Sequence, residues 1–170
     1  MRKPEGGGSL KNGILIRKAE PADGPLILSL IRELADYEKG LDQVDARPDM
    51  LASALFGERP RVFCNIAEYG GAPAGFAIWF YNFSTWRGRH GIYLEDLFVR
   101  PKFRGHGIGK ALLADLARRA VAEGCPRLEW WVLNWNAPAI AFYKALGAEP
   151  MEDWTVFRLS GEALAQAAKE

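Results

Sequence analysis

Three groups of residues in this chain have types and spacings that could do chemistry. The first is a glycine-rich run, Arg104-Gly105-His106-Gly107-Ile108-Gly109-Lys110. It follows an apolar, β-branched and aromatic stretch from Ile92 to Val99 and leads into a helical pattern. A helix that begins among glycines leaves its first N–H groups without partners, and the positive end of its dipole lies beside them, so the turn suits a phosphate. Glycine lets the backbone come close to the anion, and Arg104 adds a cation at the rim. A glycine-lined connection with no ligand fits the same letters. The second group is Glu95-Asp96, inside the apolar stretch. Neighbours on a strand point to opposite faces, and an unpaired buried carboxylate is costly. Either the pair sits on a hydrated edge or bulge, or it faces a cleft and meets a cationic substrate. The third is Tyr143 in AIAFYKALGA, together with Trp131-Val132-Leu133-Asn134-Trp135-Asn136 just before it. The spacing of Tyr143 from Ile140 and Leu146 also fits a plain amphipathic face.

Two nucleotide motifs fail on the glycine run. The Rossmann pattern needs glycine at 110 or 112, where Lys110 and Leu112 stand. The P-loop needs Ser or Thr after Gly-Lys, and Ala111 follows. What remains, Arg-x-x-Gly-x-Gly after a strand, resembles the pyrophosphate-binding motif of the GNAT superfamily of N-acetyltransferases, which bind acetyl-coenzyme A. The other two groups gain a meaning beside that resemblance. An amine must lose a proton before it attacks a thioester, and a carboxylate can accept it directly or through water. Coenzyme A leaves as a thiolate. A thiol pKa near 8.5 and a tyrosine pKa near 10 let a phenol stabilise that charge and deliver a proton. A strand parting from the central one near Trp131 would open a slot whose free backbone groups bond a peptide-like pantetheine arm.

The elements around these residues follow from periodicity and turn chemistry. Gly13–Arg17 predicts a short strand. A helix starts at Asp23, carries Leu26, Leu30, Ile31 and Leu34 at helical spacing and ends near Gly40; a second spans Pro48–Phe56. Val62–Tyr69 and Gly75–Phe83 form a hairpin, and a loop from Ser84 to His90 leads to the strand through Ile92–Val99. The helix after the glycines runs to Gly124. Leu128–Leu133 is the fifth strand, Asn136 caps a helix with Pro138 in its first turn, Trp154–Leu159 is a last strand and Ser160–Lys169 a last helix. The order suits an α+β fold (α/β by some schemes): a central mixed, mostly antiparallel sheet flanked by helices.

A chain of 170 residues fits one domain with a substantial core. We read 1–12 as a flexible, glycine-rich tail and 13–170 as the domain. A net charge of +1 gives no strong pull toward nucleic acid or an anionic membrane. No apolar run is long enough to span a bilayer, and the first residues lack the apolar segment of a signal peptide, which makes the cytoplasm the default. Cys64 and Cys125 lie far apart without ligand-type spacing, so neither a disulfide nor a metal is expected.

Several collinear blocks carry a narrower resemblance: IRELADYE (31–38), STWRGR (84–89), IYLEDLFV (92–99), RGHGIG (104–109) and VLNWNAPAIAFYKALGA (132–148). They are similar to the spermidine/spermine N-acetyltransferase group, from about residue 14 onward. That resemblance implies the GNAT fold, acetyl-CoA as donor, direct transfer to a primary amine, and a homodimer. It implies that Leu97, Phe98 and Val99 bond the pantetheine and thioester through their backbone. It also implies that residues from Arg104 to Lys110 (Gly105, His106, Gly107, Ile108 and Gly109 between them) hold the pyrophosphate, with Asn136 as a further contact. Tyr143 becomes the general acid, Glu95 assists deprotonation through water, and Asp96 sits by the acceptor amine. Tyr37, Glu38 and Trp86 line the acceptor site. Where the polyamine-acetylating branch has Asp-Pro before the tryptophan, this chain has Ser84-Thr85, which weakens the case for a long polycation. Ser-Thr-Trp and the ending GEALAQAA look more like the thialysine N-ε-acetyltransferase branch. The expected function is acetyl transfer to a small amine, first a lysine-like amino acid such as thialysine and second a di- or polyamine. The alternative is a coenzyme A-binding sensor or partner-binding domain without turnover.

Overall fold

The computed structural model of the chain describes residues 9–169. Its contacts gather in two units, divided along the chain between Trp131 and Val132. The first unit holds a six-stranded sheet in simple chain order: β1 (Ser9–Lys11), β2 (Ile14–Lys18), β3 (Phe63–Tyr69), β4 (Ala72–Ser84), β5 (Arg89–Val99) and β6 (Leu128–Glu129). All neighbours are antiparallel except β5 and β6, which run parallel. The helices of this unit are α1 (Gly24–Tyr37), α2 (Pro48–Phe56) and α3 (Ile108–Ala122). The second unit holds α4 (Ala137–Ala145) and α5 (Gly161–Ala167).

Three expectations need correction. The tail drawn over 1–12 is too long. Residues 1–8 lie outside the described residues, but Ser9–Lys11 pair with β2 through a two-residue turn, Asn12-Gly13, with φ of +54° and +76°. Asn-Gly is the strongest short hairpin signal because both residues tolerate positive φ. The strand expected over 128–133 shrinks to Leu128–Glu129, whose rungs are Ile92–Leu128 and Tyr93–Glu129. A bulge bends β5 just past that rung. The strand expected over 154–159 is absent among the described residues. Its alternating apolar residues favour extension, but a strand exists only with a ladder partner, and those residues form no ladder.

The sheet is buried on both faces, and alternation assigns each residue to one of them. Cys64 and Ile66 of β3, Phe76 and Ile78 of β4 and Phe98 of β5 pack with Ile27 and Leu30 of α1 and Leu55 of α2. On the other face α3 buries Ile108, Leu112, Leu113, Leu116 and Ala120. There Trp79 Nε1 donates to Asn65 Oδ1 (2.9 Å), and Asn65 Nδ2 donates to Asp115 of α3 (2.8 Å). The α1 side is clamped at the end of β5: Arg100 reaches Glu33 of α1 at 2.6 Å and donates to the Pro73 carbonyl at 3.0 Å.

One irregularity in β5 positions the chemistry. Ile78 pairs with Asp96 and Trp79 with Leu94, so Glu95 is an extra residue in the ladder. In an unbroken strand Leu94 and Asp96 would share a face. With the bulge, Leu94 lies opposite Trp79 on the α3 side and Asp96 opposite Ile78 on the α1 side. Bulges bend a strand and re-aim its side chains, often beside functional sites.

Candidate active site

The site is built where β5 runs out of the sheet into α3. After Val99 a short 3-10 turn, Pro101–Phe103, reverses the chain, and Gly105 and Gly107 follow, each at φ +81°. Side-chain-bearing residues rarely adopt that conformation, which is why glycine stands at both places. A Cβ added at either would meet nothing within 4 Å, so the backbone here faces open space. Among the described residues the N–H groups from Gly105 through Lys110 have no protein acceptor; the first amide of the helix to find one is that of Ala111, on the Gly107 carbonyl at 2.9 Å. Six consecutive amides at the N-terminus of the 15-residue helix α3 are therefore open to an anion.

His106 and Arg104 shape this turn rather than crowd it. His106 Nδ1 lies 3.2 Å from the Phe103 carbonyl and 3.1 Å from that of Arg104, which assigns it the ring proton. Its ring packs on Tyr69 with centroids 4.7 Å apart. The sequence places the Arg104 guanidinium at the rim as a cation for phosphate. In the structure its Nε donates to the Val99 carbonyl at 2.9 Å and its guanidinium lies 4.9 Å over the Tyr37 ring, while the residue stays exposed. Lys110 is exposed in the first turn of α3.

Along β5 from Leu94 to Val99, the edge away from β4 has no strand partner among the described residues, because β6 pairs only at Ile92 and Tyr93. The backbones of Leu97, Phe98 and Val99 thus offer a short open edge, the feature that lets an amide-bearing arm add to a sheet. This edge leads directly into the open amides. A pantetheine arm ending in a diphosphate fits that sequence of groups.

The carboxylates lie on the same strand. Glu95 is exposed at the bulge and Asp96 is half-buried. Burial first, then the charges of Glu95 and of Glu38 at the end of α1, push the Asp96 carboxyl up to about 7. Burial also raises Glu38. A carboxyl that titrates near neutrality, with two more beside it, can hold an ammonium ion and take its proton. Cys64, on the same face, is no competitor: burial and the charges of Asp23 and Asp96 push its thiol up to about 12. Tyr37, next to Glu38 at the end of α1, stacks on the Arg104 guanidinium.

Trp86 is not brought there within one chain. It sits at the tip of the β4–β5 hairpin, 91% exposed, beside a shallow hollow with Arg87, Arg89 and Pro126. The register puts Arg89 opposite Ser84 and Asp96 opposite Ile78, a separation along the strand of about 20 Å at the usual rise per residue. Asn136 and Tyr143 belong to the second unit. Asn136 is the N-cap of α4, its Oδ1 accepting from the Ala139 amide at 3.3 Å. Tyr143 lies in the last turn of α4. Its carbonyl accepts from Leu146 (3.0 Å) and Ala148 (3.1 Å), and Gly147 at φ +86° ends the helix.

The sequence reading missed the commitment of Arg104 to Val99 and the electrostatic link from Glu38 to Asp96. Both join residues far apart in the chain, and no local pattern carries them.

Comparison with known proteins gives the family. Residues 27–148 match the family model described as Acetyltransferase (GNAT) family. Thialysine N-epsilon-acetyltransferase of Bos taurus is 42% identical over 166 residues, spanning 91% of this chain and 97% of the relative. L-ornithine N5-acetyltransferase of Arabidopsis thaliana is 31% identical, spanning 88% and 85%. Among solved structures, an integron cassette protein from the mobile metagenome of V. cholerae superposes with a TM-score of 0.78 at 29% identity, covering 93% of this chain and 99% of its own. An aminoglycoside acetyltransferase from an uncultured soil metagenomic sample shares the fold, with a TM-score of 0.74 at 18% identity. The chain belongs to the GNAT acetyltransferase family and is an N-acetyltransferase.

Proposed function

We propose that this enzyme moves acetyl from acetyl-CoA directly to the primary amine of a small molecule, a lysine-like amino acid such as thialysine first and a di- or polyamine second. One observation carries the reading: a half-buried carboxyl poised near neutrality and a row of open amides lie at successive positions of one strand–turn–helix segment. The open amides from Gly105 to Lys110 hold the diphosphate. The free edge at Leu97–Val99 aligns the pantetheine arm; Asn136 is a cofactor contact by resemblance only. Bound acetyl-CoA supplies a thioester activated for attack.

The protein's part is proton handling and orientation. Glu38, Glu95 and Asp96 attract the acceptor as an ammonium ion, with Tyr37 beside them. Asp96, ionised at and above neutral pH, accepts the proton, or Glu95 passes it through water. Tyr143 is the general acid by resemblance only, protonating the departing sulfur. Trp86 is an acceptor-site residue by resemblance only. Its exposed hairpin tip, with Phe83 60% exposed beside it, suits a contact with a second copy, and we propose a cytoplasmic homodimer. Among the described residues no helix is long and apolar enough to cross a membrane.

The deciding experiment follows free thiol released from acetyl-CoA with thialysine, lysine, ornithine, putrescine, spermidine and a lysine-bearing peptide. Preference for an amino acid with a terminal amine supports the proposal. Preference for the peptide overturns the small-molecule reading. Calorimetric binding of coenzyme A without thiol release from any amine favours the sensor.

A further inference from the structure

Far along β5 from the carboxylates, three side chains of different chemistry converge at the opposite corner of the sheet. His90 begins β5, Glu123 caps the C-terminus of α3, and Cys125 follows two residues later. One ligand atom from each, a ring nitrogen, a carboxylate oxygen and the sulfur, lies within 4.8 Å of the other two. His90 Nε2 is 4.0 Å from Glu123 Oε2. No spacing in the sequence announces them, since 33 residues separate His90 from Glu123 and only the packing of α3 on the sheet brings them together.

We infer that His90, Glu123 and Cys125 form a zinc-binding site distinct from the acetyl-transfer site. The donor set is nitrogen, carboxylate oxygen and thiolate sulfur, all of which zinc accepts, with water completing a tetrahedron. Bond lengths of about 2.0–2.3 Å require the donors to close by roughly 1 Å, within reach of Glu and Cys side-chain rotation. Binding releases the Cys125 thiol proton to solvent and forms the S–Zn bond, with no change of oxidation state.

The surroundings are built as an outer shell should be. The Glu123 carboxylate is already oriented: Tyr81 OH donates to Oε2 at 2.7 Å and Arg119 donates to Oε1 at 3.0 Å. The His90 ring stands edge-on to Tyr81, with centroids 5.0 Å apart. Such partners fix the direction of ligands and typically carry about a 10–100-fold share of metal affinity. The metal would tie the start of β5 to the end of α3.

The test uses the untagged, full-length chain stripped with a chelator. Zinc titrated by calorimetry binds with one equivalent, and cobalt substituted for zinc shows the near-ultraviolet thiolate charge-transfer band. His90→Ala and Cys125→Ser each weaken zinc more than about tenfold and Cys125→Ser abolishes the band, while Tyr81→Phe, which removes only an outer partner, weakens it by about tenfold. Zinc raises the melting temperature of the parent and not of Cys125→Ser; both variants fold and retain acetyl transfer without metal. The inference is overturned if the parent binds zinc no more tightly than Cys125→Ser, or if cobalt binds without the band.

Discussion

Asp96→Asn tests the electrostatic core of the site in two independent ways. Burial and the neighbouring carboxylates of Glu95 and Glu38 push the Asp96 carboxyl up to about 7, whereas an aspartate in an unfolded chain ionises near 4. Between those values the unfolded chain has lost the proton and the folded one keeps it, so stability falls as pH rises through that window. Below about pH 4 both states are protonated and the penalty vanishes; above about pH 7 it is complete. The gap corresponds to about 4 kcal/mol, a ceiling because water reaches Glu95 beside it and screens the repulsion. Asparagine has the shape of the protonated acid and never ionises. Urea unfolding should therefore find the variant close to the parent at pH 4 and up to about 4 kcal/mol more stable at pH 8.5, a midpoint shift of about 1–2 M or more. The same substitution should remove the acidic limb of kcat/KM, which reports the free enzyme and should fall below about pH 7 in the parent. A parent–variant difference in stability that stays constant from pH 4 to 8.5 refutes the burial of this carboxyl among like charges, whatever happens to activity.

Tyr143→Phe should lower kcat by about 10²–10⁴-fold, the weight of one acid–base group, with coenzyme A affinity by calorimetry little changed; an unaltered turnover removes the phenol from proton transfer. Gly107→Glu should abolish coenzyme A binding, by placing bulk and negative charge among the open amides. Gly88→Ala, at φ +61° in the hairpin tip, carries similar backbone strain and should leave that affinity intact. Arg100→Ala should cost about 1–2 kcal/mol at pH 7, since its half-exposed partner Glu33 can rehydrate. Arg100 holds the Glu33 carboxyl below its ordinary range. The stabilisation is therefore present above about pH 4 and lost as pH falls further, so denaturant melts of parent and variant should converge in acid.

The elements that were legible in the chain share a local cause. Pro48 at the first helical position and Gly57 just past the last bracket α2, because proline loses nothing at the start of a helix and cannot continue one later. The glycine turn was legible for the same kind of reason: positive φ at Gly105 and Gly107 is a property of two residues, not of the fold. The hairpin at Asn12-Gly13 was equally local and was passed over under a composition that looked like a tail. What stayed hidden is non-local. The short reach of β6 and the missing ladder over 154–159 depend on which backbone groups meet across the sheet. Alternating letters cannot report that. Arg104 was read by its charge, but its nearest acceptors, the Val99 carbonyl and the Tyr37 ring, are supplied by tertiary packing.

Glu95-Asp96 lies between these cases, and it shows how a local conflict becomes a site. Period two forbids two adjacent carboxylates from sharing one environment, so the letters alone announce that something must give. A regular strand would answer by burying one acid against Ile78 with its neighbour on the α3 face, where desolvation would have to be met twice. The bulge answers differently: it takes Glu95 out of the ladder into water and leaves Asp96 alone on the α1 face. Two chemically similar acids thereby acquire different tasks. In the proposed mechanism the exposed one draws and relays, and the partly buried one, its carboxyl pushed up to about 7, serves as the base. The extra residue in β5 is Glu95 itself, and deleting it would be expected to restore a regular ladder, with Leu94 still opposite Trp79 and Asp96 still opposite Ile78, while removing the carboxylate beside Asp96.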